Sequence, residues 1–372
     1  MSSVSEDAGA AREVAPRLER WSGLAGFDAA TPAWRELLRV AAIDPLCNDP
    51  AWVRDHVASY SDPATLFGWT ATDATGEPVG VFAFRREPSR GPLRARRAIL
   101  AQDGSFESDY VDFPVRPGAE QAVMSALVTA LERESGVDAA VLHALDAESR
   151  SLAALRRVLE QRGTPTRESA VSCAVTELPA SFEAFLAATK KRMRSKIRQA
   201  LRRAAEAGAT YRWIEGELEQ ELDGLFRLHQ ARWAAVGGTG SFADERRRAF
   251  YARFAPRHLA SGTLRLARLD LDGRAVAYQI GLVAGERYYQ LQEGYDPAYE
   301  ELRVATALRA WALEQLIDSG IRHYDFMAGE SRHKADWGGV ERPCCLLTFP
   351  TSARGRLGFG ARRWVESVRP TR

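Results

Sequence analysis

The chain has 372 residues, 45% apolar and 27% charged, the make-up of a globular protein long enough for two lobes. Its 51 Lys and Arg against 49 Asp and Glu leave a formal charge of +2, so no global field selects nucleic acid and any anion preference has to be local. Cys47, Cys173, Cys344 and Cys345 lack metal-ligand spacing, and no apolar run approaches ~20 residues; a cytoplasmic protein with reduced thiols, no metal and no membrane span is expected.

In chain order, residues 1–20 mix charges without an apolar core and read as a flexible tail. A first lobe is expected over 21–178. It begins with helices over 34–42 and 50–60, then two strands, 66–72 and 79–85, flank the turn Asp73-Ala74-Thr75-Gly76-Glu77-Pro78. A strand over 94–102 follows, then a helix over 118–135 with apolar Ala122, Met124, Leu127 and Leu131, ending at Gly136. Strand 139–145, helix 151–161 closed by Gly163, and strand 169–176 complete it. Ser181 is placed to cap a helix over 182–188 at the start of a second lobe, 179–352. That lobe has a basic helix over 190–203, and a helix ending at Arg232-Trp233, with Trp233 expected in the core. Strands over 263–269, 275–283 and 287–292 precede a helix over 306–318, stopped by Gly320, and a strand over 323–327. Residues 353–372 read as an extension. The two lobes repeat one element order, as a degenerate duplication would.

Strand, helix, strand in that order implies a right-handed crossover, with ligands where the central strand ends and the helix begins. The helix over 190–203 holds eight Lys and Arg and no acid, with Arg194, Arg198 and Arg202 on one face. It reads as an anion cradle, or as a solvated helix paired with the acidic segment 215–223. The sequence has no H-E-x-x-H, G-x-S-x-G or Walker lysine motif, which disfavours metal hydrolases, serine hydrolases and P-loop enzymes.

The run Gly281…Tyr288-Tyr289-Gln290…Gly294-Tyr295-Asp296-Pro297, followed by Tyr324-Asp325-Phe326…Lys334-Ala335-Asp336-Trp337-Gly338, resembles the GNAT acyltransferase superfamily. It is most similar to the two-lobed branch of the cellulose-biosynthesis (CelD-like) acetyltransferases, cousins of the Fem-type peptidoglycan aminoacyltransferases. The resemblance implies an α/β fold of tandem GNAT-like lobes, each a mixed, mostly antiparallel sheet flanked by helices. It implies acyl transfer, acetyl above all, from acetyl-CoA or another acyl-CoA to an amine of a small-molecule or sugar-linked acceptor. Donor phosphates would sit on Arg303, Val304, Ala305, Thr306 and Ala307, although the glycines usual in that turn are absent between Glu301 and Leu308. Asp325 and Glu293 are candidate bases, with Glu330, His323 and His333 nearby, and Tyr295 is a candidate proton donor to the thiolate. Arg194, Arg198, Lys334 and Trp337 are candidate acceptor-binding residues. Aminoacyl-tRNA as the donor carrier, and a non-catalytic RNA- or partner-binding role, are the alternatives; the chain is expected to be a monomer or homodimer.

Overall fold

The computed structural model describes residues 15–88, 95–103, 107–329 and 332–360. Its first half runs β1 (Arg17–Ser22), α1 (Gly23–Val40), α2 (Pro50–Tyr60), β2 (Leu66–Thr72), β3 (Pro78–Pro88), β4 (Arg96–Leu100), α3 (Glu120–Arg133), β5 (Ala139–Asp146), α4 (Arg150–Gln161) and β6 (Arg167–Glu177). The second half runs α5 (Phe182–Ala188), α6 (Lys191–Glu206), β7 (Thr210–Trp213), α7 (Leu218–Ala235), α8 (Glu245–Ala260), β8 (Leu264–Leu271), β9 (Arg274–Ala284), β10 (Arg287–Tyr295), α9 (Val304–Asp318), β11 (His323–Ala328), α10 (Arg332–Asp336), β12 (Val340–Pro350) and α11 (Ala353–Gly360).

Local chemistry explains most of the boundaries. Asp49 caps α2 by accepting from the Ala51 amide at 2.6 Å, and Pro50 takes the first helical position, where no amide hydrogen is needed. Ser149 and Ser181 cap α4 and α5 through the amides of Leu152 (3.0 Å) and Ala184 (3.2 Å). The β2–β3 turn closes on Asp73, whose Oδ1 accepts from the Thr75 and Glu77 amides, while Gly76 takes φ +90°. Helix α1 begins well before the expected residue 34 and carries Pro32 inside it, because Phe27, Ala30, Trp34 and Leu37 form one buried stripe.

The strands form one twelve-stranded sheet in the order β1-β2-β3-β4-β5-β12-β6-β11-β10-β9-β8-β7. Each half repeats antiparallel strands followed by a parallel pair, β4–β5 in one and β10–β11 in the other. The fold class is therefore the expected tandem α/β arrangement, with one addition. Strand β12, from the end of the chain, pairs with β5, and β6, from the first half, pairs with β11. Each lobe is completed by a strand of the other, and β6 and β12 join antiparallel over nine paired positions at the centre. The sheet thus runs unbroken across the 178/179 junction of the chain. Trp52 of α2 packs edge-on against Phe250 of α8 at 4.8 Å, adding an apolar contact between the lobes.

The two parallel pairs end differently. In the first lobe β4 and β5 pair only as far as Ile99 and Val141, and past the end of β4 the segment 107–116 bridges β5 and β3. Val111 donates to the Ala144 carbonyl at 2.9 Å, Asp146 donates back to Val111 at 3.0 Å, and Arg116 donates to Val79 at 2.9 Å. In the second lobe β10 and β11 pair as far as Tyr289 and Asp325 and then part. The first-lobe gap is filled by its own chain; the second-lobe gap is lined by side chains.

Candidate active site

The second-lobe gap opens where β10 bulges between Gln290 and Gln292. Helix α9 starts beside it. Asp296 opens the approach by accepting from the Ala298 amide at 3.0 Å, and a short 3-10 turn follows. Arg303 then takes φ +57° and ψ +42°, the left-handed conformation that glycine adopts without strain. A non-glycine residue supplies the turn at a cost of ~1 kcal/mol. Among the described residues no side chain caps the amides of Val304, Ala305 and Thr306, which leaves them to an anion, and the half-buried Arg303 stands at the same corner. These residues fit a donor's phosphates, although Asp296, Glu300 and Glu301 put negative charge on the approach.

Inside the gap, the guanidinium of Arg309, on the second turn of α9, pairs with Glu293 of β10. It stands 5.2 Å from the Trp337 ring centre and 5.6 Å from that of Phe326, and 3.0 Å from His333 Nε2. Burial opposes a charge on Glu293, but Arg309, Arg232 and His333 outweigh it and hold the carboxyl below its ordinary range. Burial and the neighbouring Arg309 push His333 down to about 4, so its imidazole is neutral at pH 7. Trp337 is fully buried, stacks on Phe185 and donates its Nε1 hydrogen to His333 Nε2 at 3.3 Å. At the mouth, the Arg232 guanidinium lies 3.8 Å from Glu293 and within 5.7 Å of the ring centres of both Trp233 and Tyr295. Trp233 is 40% exposed, so the expectation of a core position was wrong: the end of α7 turns this face outward.

Asp325 lies on the opposite face of the sheet, as its alternation with Tyr324 and Phe326 implies. Its carboxylate is fully buried; Oδ1 accepts from Tyr110 Oη at 3.1 Å and the Met327 amide at 2.8 Å, and Oδ2 from Arg287 at 3.0 Å. Burial raises its pKa against those three partners. Asp109 accepts from the Ala328 amide at 2.7 Å, and burial lifts its carboxyl to about 6. Lys334 donates to the carbonyls of Met327 and Ala328, both at 2.9 Å, and burial lowers its pKa. These contacts hold the end of β11 where Met327 takes φ +57°.

The structure therefore gathers Glu293, Tyr295 and the 303–307 turn around the gap, and places Asp325 and Lys334 together on the lobe-facing side of β11. Trp337 is a buried floor. Arg194 donates to the Ala187 carbonyl at 3.2 Å, and Arg198 pairs with Glu183 at 3.5 Å with both side chains exposed. The basic helix pairs with Glu183 and Glu206, not with the 215–223 segment. Glu330 lies outside the described residues. Sequence reasoning missed Arg309, Arg232, Asp109 and Tyr110. Arg309 carried a signal: it is the only charged residue between Arg303 and Glu314 on an otherwise apolar helix, where a charge needs a reason. Among the described residues no cluster of His, Cys, Asp and Glu is arranged to hold a metal, and no helix is long and apolar enough to cross a membrane.

Residues 191–335, from α6 through most of α10, match the acetyltransferase (GNAT) domain family. No curated protein matches the sequence. Among solved structures, the chain is similar to FemX, with a TM-score of 0.62 at 13% identity, covering 92% of this chain and 99% of that one. It is also similar to L-PGS from Bacillus licheniformis (TM-score 0.52, 11% identity, 85% and 90% covered). A tandem GNAT protein from the clavulanic acid biosynthesis pathway follows (TM-score 0.50, 14% identity, 90% and 99% covered). The domain match thus covers the part of the second lobe that holds the gap, and the two-lobed fold is shared with the tandem GNAT protein. Over nearly its whole length the chain has a fold similar to that of FemX.

Proposed function

We propose that the protein transfers an acyl group from an acyl-CoA, acetyl-CoA in the first instance, to an amine on a polar acceptor, in the second-lobe gap. The observation that supports this best is the coincidence of three features at one place: β10 and β11 part, α9 begins, and the first amides of α9 have no side-chain cap among the described residues. In this reading the amides of Val304 to Thr306 and the Arg303 guanidinium hold the donor's phosphates. The thioester supplies an activated carbonyl carbon. The acceptor nitrogen forms a C–N bond to it as the C–S bond breaks, so one proton must leave the amine and one must reach the thiolate. Glu293, ionised at neutral pH, takes the first, and the Tyr295 hydroxyl gives the second. Asp325 acts as a positioning residue for the end of β11. The buried free thiols suit a cytoplasmic setting, and the cellulose-biosynthesis-type branch is supported by the residue motifs between Gly281 and Gly338.

Isothermal calorimetry with acetyl-CoA and free CoA tests the donor site, with Thr306→Glu as the control. Micromolar binding that the control abolishes is the expected result; no heat at millimolar ligand would sink this reading. A second reading is favoured by α6, which packs on α9 and exposes Lys191, Arg192, Arg198 and Arg202 beside the gap. There the donor is an aminoacyl-tRNA, as the Fem-type resemblance implies. Its signature is RNA binding that weakens steeply with salt, because each phosphate contact releases counterions.

A further inference from the structure

Among the described residues the gap holds more positive charge than its carboxylate Glu293 balances. Arg309 and Arg232 are both ion-paired, and both to the same residue, Glu293. Among the described residues neither guanidinium has another carboxylate partner. His333 offers no negative charge, and Lys196 of α6 is near enough for its charge to act on His333. Arg309 is almost wholly buried, yet its Nε–H has no hydrogen-bond partner among the described residues. A buried donor without an acceptor is costly, and a buried guanidinium that shares its counter-ion with a second one is costlier still. The two arginines differ in access. Arg309 is 4% exposed, whereas Arg232 is 35% exposed and lies 3.8 Å from Glu293, a loose contact for an ion pair. Arg232 also stands between the faces of Trp233 and Tyr295, so its planar fork is held at the mouth.

We propose that the gap recognises a carboxylate on its ligand, received by Arg232 at the mouth and stabilised from behind by Arg309. The inference rests on the reading that the reacting groups meet between β10 and β11, and it narrows the substrate class. Either the acyl group ends in a carboxylate, as a dicarboxylic acyl-CoA does, or the amine acceptor carries one, as an amino acid does. The anion supplies the missing negative charge and draws Arg232 away from Glu293. That leaves the Glu293 oxygen that Arg232 faced to meet the ammonium or amine of the acceptor, while Arg309 holds the other. Glu293 and Arg232 are spaced to face the two charged ends of one zwitterion.

The experiment has one arm independent of coenzyme A and two that identify the source. Calorimetry of the full chain with succinate and with succinamide, at fixed chloride, compares a carboxylate with its neutral isostere. Succinate is expected to bind and succinamide to bind at least ~10-fold more weakly, the usual scale for a charge-assisted hydrogen bond. Arg232→Gln is expected to erase that difference. Succinyl-CoA against acetyl-CoA then tests the acyl group, and L-alanine against ethylamine tests the acceptor; a ~10-fold preference in one pair assigns the carboxylate. Arg309→Gln alone leaves the buried Glu293 only its loose contact with Arg232 and threatens folding, so Arg309→Gln/Glu293→Gln is the paired variant, expected to fold and to weaken succinate binding. Equal or absent binding of succinate and succinamide, or succinate binding untouched in Arg232→Gln, overturns the proposal. Succinate binding without heat from either CoA would instead overturn the acyl-CoA donor and leave the carboxylate site standing.

Discussion

Tyr110, in the segment that fills the first-lobe gap, donates its hydroxyl hydrogen to the buried carboxylate of Asp325 on β11 of the second lobe, at 3.1 Å. Tyr110 takes φ +54° to do so and is itself fully buried beneath the Arg342 guanidinium, 4.1 Å from its ring centre. The residues that plug one half thus fix the strand end at which the other half opens. Neighbouring Asp109 adds a second tie at the Ala328 amide.

Tyr110→Phe should therefore leave one side of Asp325 unsatisfied and destabilise the fold by ~1–2 kcal/mol. Urea unfolding followed by tryptophan fluorescence measures it. Because the two lobes share one sheet, the expected transition is single; a first-lobe transition that moves alone would show that the tie does not couple them.

The Glu293–Arg309 pair makes a sharper test. Arg309→Met leaves the buried Glu293 carboxylate only its loose contact with Arg232 and should cost ~3 kcal/mol, as should Glu293→Leu through the stranded guanidinium, while the double substitution costs less than either. A double-mutant cycle in urea reads the coupling. Additive losses would mean that the two groups do not depend on each other.

Arg303→Gly removes the left-handed strain at the start of α9 and should raise stability by up to ~1 kcal/mol, as long as glycine's greater unfolded-state freedom does not consume the gain. If backbone amides carry the donor phosphates, CoA affinity falls by no more than ~10-fold on losing the guanidinium. A complete loss would assign the phosphates to the Arg303 side chain instead.

Asp109 predicts a pH effect with a definite sign. Burial lifts its carboxyl to about 6 in the folded protein, with Asp325 pushing the same way and the Ala328 amide, His143 and Lys334 opposing. A raised carboxyl contributes stability below its unfolded value, near ~4, and loses it as pH rises through the folded value. Asp109→Asn should accordingly gain on the wild type between pH ~4 and pH ~6, by an amount on the order of 2–3 kcal/mol, and then hold constant. Glu293 runs the other way: its carboxyl is held low, so its contribution is present at neutral pH and fades as acid protonates it. Paired urea titrations from pH ~2 to ~8 check both; an Asp109→Asn difference that shrinks with rising pH would contradict the assignment.

The sequence by itself determined the local elements of this protein. Caps at Asp49, Ser149 and Ser181, the Asp73–Gly76 turn and the apolar period of α3 place helices and strands to within a few residues, because each is decided by neighbours in the chain. The motif residues from Gly281 to Gly338 also carried the resemblance from which the matched domain and the doubled fold were expected. Only the tertiary structure decided that β6 and β12 change places between the lobes, since strand partners so far apart in the chain leave no periodic trace. The same holds for the site. Asp325 was legible as a carboxylate at a strand end, but its partners Tyr110 and Arg287 come from segments far away in the chain or across the sheet. Arg309 looked like one charge on an apolar helix until folding brought Glu293 and Arg232 to it. Propensity and capping act over a few residues, whereas burial and charge balance are properties of the assembled core, and it is these that set what the gap can bind.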